Sequence, residues 1–63
     1  MTPDQFRAWL AEMKSSGLAR SDAAAARLLD CHPNTLVRYK DRGADRQTAL
    51  ACRALLHRLE PYP

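Results

Sequence analysis

Ser21-Asp22-Ala23-Ala24-Ala25-Ala26-Arg27-Leu28-Leu29-Asp30-Cys31-His32-Pro33-Asn34-Thr35-Leu36-Val37-Arg38-Tyr39 reads as two short helices joined by a tight turn. Ser21 or Asp22 can cap the first, because a short oxygen-bearing side chain accepts from an N–H that the opening turn leaves unpaired. The run Ala23 to Ala26 places the strongest helix former at four successive positions and secures a helix ending near Leu29. His32-Pro33 starts the second helix, since a proline in the first turn gives up only an N–H that has no helical partner. That helix carries Leu36 and Tyr39 on one face and stops near Arg42-Gly43. Helices so closely linked must cross steeply and touch. Ala26 supplies the small residue that such contact needs, and Leu29, Cys31, Leu36 and Tyr39 supply apolar groups around it.

Upstream, Thr2-Pro3-Asp4-Gln5 combines a cap, a first-turn proline and the partner of a capping box. Phe6, Trp9, Leu10 and Met13 follow at helical spacing as one core stripe, and Ser15-Ser16-Gly17 ends that helix. Downstream, Asp45 caps a fourth helix from about Arg46 to Leu59, stopped by Pro61. Its residues Leu50, Ala51, Ala54, Leu55 and Leu59 fall on one stripe, which is assigned to the core. No strand-like alternation, repeat or low-complexity linker interrupts the pattern. Residues 1–63 are therefore expected to form a single all-α domain, a compact bundle of four short helices with a helix-turn-helix at about 21–42.

Residues 21–39 resemble the helix-turn-helix of Cro/CI (XRE-type) regulators, whose pattern runs small-small-x-x-Leu-Gly-apolar-Ser-x-x-Thr-apolar-x-Arg-aromatic. Ala25, Ala26, Leu29, Cys31, Thr35, Leu36, Arg38 and Tyr39 match it in register. The stretches Thr2 to Trp9 and Leu50 to Leu55 are similar to short prophage-type members, so the resemblance covers nearly the whole chain. Two positions depart from the pattern. The turn glycine is Asp30 here, a residue that tolerates left-handed backbone better than most. Asp22 stands where the family often has a phosphate-contacting Gln, and an acid there repels phosphate, which leaves Ser21 as the polar group able to take over.

The resemblance implies that the helix beginning at His32 enters the major groove of double-stranded DNA. With Leu36 and Tyr39 inward, Asn34, Thr35, Val37 and Arg38 become the base-reading set. Arg38 can pair with guanine O6 and N7, Asn34 with adenine N6 and N7, and Val37 or Thr35 can touch a thymine methyl. Ser21, His32, Lys40, Arg42 and Arg46 are the expected phosphate contacts, which fix position rather than sequence preference.

Composition agrees with a polyanionic partner and argues against other classes. The chain carries 10 basic and 7 acidic residues, a net charge of +3, and five of the basic ones lie between Arg38 and Arg53. Nothing in its opening residues reads as a signal peptide, and no apolar run approaches a membrane span; a cytoplasmic protein is expected. Cys31 and Cys52 read as reduced, buried small hydrophobes. Adjacent Cys31 and His32 cannot easily face one metal, and Cys52-x4-His57 is a weak ligand pair, so neither metal nor cofactor is expected. No nucleophile–base–acid set or glycine-rich phosphate loop points to an enzyme.

Ala49, Cys52 and Leu56 lie beside the fourth helix's core stripe on a face that so small a core leaves over, and Tyr62 continues it. These four are the expected homodimer interface. Pairing there sets two recognition helices about 34 Å apart and calls for a near-palindromic operator. The expectation is a dimeric repressor at a promoter inverted repeat. Its small size resembles prophage-borne regulators, including anti-CRISPR-associated proteins that repress their own operons. Two rivals stand beside it: the DNA-binding antitoxin of a toxin–antitoxin pair, and a small helical interaction module or phage inhibitor using the same fold.

Overall fold

Thr2 is extended, its hydroxyl accepts from the Gln5 N–H at 3.1 Å, and the Gln5 side chain accepts from the Thr2 N–H at 2.9 Å. The capping box thus forms, and with it α1 (Pro3–Ser15) in the computed structural model, which describes residues 1–63. Phe6, Trp9, Leu10 and Met13 are all buried. Gly17, at φ +79°, closes the helix in the left-handed region that glycine enters without strain.

Ser21, rather than Asp22, caps α2 (Asp22–Leu28) by accepting from the Ala24 N–H. The helix ends in a paired turn in which the Asp30 N–H donates to Arg27 O and the Cys31 N–H to Ala26 O. Asp30 sits at φ +55°, the left-handed position where the turn pattern has glycine. α3 (Pro33–Arg42) begins immediately afterwards, capped by His32, whose Nδ1 accepts from the Asn34 N–H at 3.0 Å. Ala25, Ala26 and Leu36 are fully buried in one cluster where α2 packs on α3.

The turn from α3 into α4 (Arg46–Leu56) is locked to the start of the chain. The Met1 ammonium donates to Ala44 O, and the Ala44 N–H donates back to Met1 O. Gly43 has φ +87°, and a Cβ there would collide with the Met1 carbonyl oxygen. Both its conformation and its surroundings require glycine. Asp45 caps α4 by accepting from the Thr48 N–H at 2.8 Å.

Two expectations about α4 need correction. The helix stops at Leu56, not Leu59, because Arg58 turns left-handed at φ +57°. The Arg58 N–H then donates to Leu55 O and the Leu59 N–H to Ala54 O, which closes the helix before Pro61 is reached. The second correction concerns the inward face. Cys52, expected at a dimer interface, is fully buried, whereas Leu50 and Leu59, assigned to the core, are 57% and 63% exposed. Ala51, Ala54 and Leu55 of the expected stripe stay half-buried, so the inward face is displaced toward Cys52 and Leu56 rather than reversed. The Trp9 indole causes this: its Nε1 donates to Cys52 O at 2.8 Å, and the small thiol lets α4 approach the aromatic side chains of α1.

Candidate nucleic-acid interface

Leu36 fixes which side of α3 faces outward. It is fully buried, and the half-buried Tyr39 stands edge-on to Phe6 with ring centroids 5.4 Å apart. At 3.6 residues per turn, the opposite face carries Asn34, Arg38 and Asp41, flanked by Val37 and Arg42. Thr35 lies at the margin, half-buried. Val37 is 59% exposed, an apolar side chain on an otherwise polar surface. The Asn34 and Arg38 side chains make no hydrogen bond or ion pair within the chain and are free to meet an external ligand. Three of the four expected base readers thus share an exposed surface, and Thr35 borders it. Asp41 is absent from the expected set because its charge suggests nothing toward a polyanion, yet a carboxylate on this face can accept from a cytosine amino group.

The five expected phosphate groups divide. Arg46 projects from the first turn of α4, exposed and without an ion pair. Arg42 is equally exposed, with Nε 3.8 Å from the Asp41 carboxylate. The Ser21 oxygen is engaged as a cap, which leaves its O–H able to donate. In His32 Nδ1 is taken up as the acceptor of the Asn34 N–H, which leaves Nε2 as the ring nitrogen able to donate to a phosphate.

Lys40 differs from the other four. Its half-buried ammonium lies 2.9 Å from Asp22 Oδ2, while Lys14 Nζ of α1 lies 2.7 Å from Asp22 Oδ1. One carboxylate thereby joins three helices. Lys14 and then Lys40 hold the Asp22 carboxyl below the usual carboxylate range, against the smaller opposing effect of burial. Lys40, expected as a phosphate contact, is thus the one of the five whose charge is paired with a carboxylate of another helix.

The remaining reactive groups carry no site. Burial pushes the Cys52 thiol up to about 12 and also raises Cys31, with Asp30 adding to the latter, so neither is a thiolate near neutral pH. No three His, Cys, Asp or Glu side chains come together as metal ligands. Of the expected interface residues, Cys52 is lost to the core. Ala49 and Leu56 are half-buried along a groove of about 560 Å³ between α1 and α4, whose rim carries Arg46 and Arg53. Tyr62 is 98% exposed. Leu28, exposed at the end of α2, borders a smaller groove with Ala51, Ala54, Leu55 and Leu59.

No protein-family model matches this chain, and no curated protein or solved structure matches it. No helix is long and apolar enough to cross a membrane.

Proposed function

We propose that the chain is a sequence-specific double-stranded-DNA-binding regulator, a cytoplasmic repressor that reads DNA with α3. One observation carries this reading. The exposed face of α3 presents Asn34, Val37 and Arg38 without intramolecular partners, on a helix fixed by Leu36, Tyr39 and the left-handed turn at Asp30. A bidentate cation, an amide and an apolar group so placed can read guanine, adenine and a thymine methyl. Arg42, Arg46, Ser21 and the His32 Nε2–H surround them as phosphate donors. Two copies pair through the fourth helix and the tail, where Leu50, Leu59 and Tyr62 are the large exposed apolar groups, with Leu28 at the end of α2 beside Leu59.

Selection from a random duplex pool, followed by titration of two variants, tests this reading. Arg38→Ala is expected to cost about 1–3 kcal/mol on the selected duplex and to relax preference at one base pair. Arg46→Ala is expected to weaken selected and random DNA alike and flatten the salt dependence by about one unit. Equal losses from both variants on both duplexes would remove α3 from the groove. Binding that is insensitive to salt would favour a protein-interaction module instead.

A further inference from the structure

We infer that Asp22 withholds Lys40 from DNA and so limits the affinity of the chain for DNA of any sequence. The inference rests on the DNA-binding reading and adds a control of that same surface. Lys40 sits on the flank of α3, two residues beyond Arg38, and its ammonium turns back to Asp22 at the start of α2. Asp22 is itself held from the other side by Lys14. Both oxygens of the carboxylate face a cation, so it is fixed in place between α1 and α3.

A lysine is a point charge on a flexible stem, able to reach a nearby phosphate once nothing restrains it. Phosphate contacts of this kind favour every sequence equally. Withholding one lowers affinity for random DNA and leaves the unpartnered Asn34, Val37 and Arg38 to choose the site. Asp22 thus acts by subtraction, through Lys40, and touches no base.

A double-mutant cycle on a random-sequence duplex of about 20 base pairs tests this, read by fluorescence anisotropy across a salt series. The four proteins are the parent, Asp22→Asn, Lys40→Met and the double variant, each first shown to be folded by its circular dichroism melt. Asp22→Asn is expected to bind about tenfold more tightly near 50 mM salt, with a log–log salt slope steeper by about 0.9, the signature of one added phosphate contact. Lys40→Met is expected to change the parent by less than about twofold, yet to abolish the gain when combined with Asp22→Asn. If Lys40→Met weakens both backgrounds equally, Asp22 acts only through net charge and the inference falls. If Asp22→Asn lowers the melting temperature but leaves affinity and slope unchanged, the triad is structural alone and the inference falls. A parent with no salt-sensitive DNA binding overturns the underlying reading instead, and the parent titration reports that separately.

Discussion

Trp9 Nε1 donates a buried 2.8 Å hydrogen bond to the carbonyl oxygen of Cys52, joining the middle of α1 to the middle of α4. The contact decides which face of α4 is core. Trp9→Phe removes this donor and part of a buried ring, and it is expected to cost about 1–3 kcal/mol. Leu50→Ala, on the exposed side of the same helix, is expected to stay within about 0.5 kcal/mol. Urea melts followed by circular dichroism compare the two. A larger loss from Leu50→Ala would mean that α4 faces the other way.

That helix also shows where sequence reading stopped. The caps and stops of α1, α2 and α3 were legible because Thr2, Ser21, Pro33 and Gly17 each act on neighbouring backbone groups. The stripe of α1 was equally plain, since no large apolar residue competes with Phe6, Trp9, Leu10 and Met13 on its other sides, which carry only polar residues, Pro3 and the alanines Ala8 and Ala11. In α4 apolar residues occur all round the helix, so periodicity alone left its orientation undetermined, and a tertiary hydrogen bond from Trp9 settled it. The outward set on α3 was legible from Leu36 and Tyr39. The pairing of Lys40 was not, because Lys14 and Asp22 are distant in sequence from it and meet only after three helices have packed.

The turn at Asp30 offers a stabilising change. Its φ of +55° is a conformation that costs most L-residues about 1–2 kcal/mol, and Asp somewhat less. Asp30→Gly is expected to gain a few tenths to about 1 kcal/mol, raising the melting temperature by a few degrees. Ala26→Leu, which adds volume beside the same turn at a fully buried position, is expected to lose about 1–3 kcal/mol. Paired thermal melts check both. A destabilised Asp30→Gly variant would show that the Asp side chain contributes more than its backbone conformation costs.

Acid should loosen the tie among α1, α2 and α3. Because the folded chain holds the Asp22 carboxyl below its ordinary value of 3.8, its contribution is present above that value. It is lost as pH falls through the lower folded pKa, when the protonated group no longer pairs with Lys14 and Lys40. Parent stability is therefore expected to fall below about pH 4 more steeply than that of Asp22→Asn. Melting temperatures measured from pH 6 downwards give the comparison. Parallel curves would show that Asp22 titrates as it does in the unfolded chain. With its side chain about 40% exposed, the effect should be small and further reduced by salt.

The orientation of α4 also changes what a dimer can use. Cys52 is inside, and Leu56 is half-buried, so substituting either perturbs the fold as well as any interface. Leu59 lies beyond the helix end, 63% exposed, beside the groove that Leu28, Ala54 and Leu55 border. Glu60 is the one charged residue lining this groove, whereas both Arg46 and Arg53 line the groove between α1 and α4, where two copies would bring four like charges together. Two-fold pairing is therefore electrostatically easier on the Leu28–Leu59 side, and it adds apolar burial that a chain with nine buried residues lacks. Leu59→Glu places a charge in that contact twice, once from each copy. It is expected to leave the monomer's melting curve within about 0.5 kcal/mol, as exposed substitutions generally do. Light scattering at tens of micromolar, roughly where a weak dimer is populated, should show the parent as a dimer and this variant as a monomer. Its affinity for a two-half-site duplex should fall toward that for a single half-site. A parent that is monomeric there, and binds one half-site as tightly as two, would overturn the pairing.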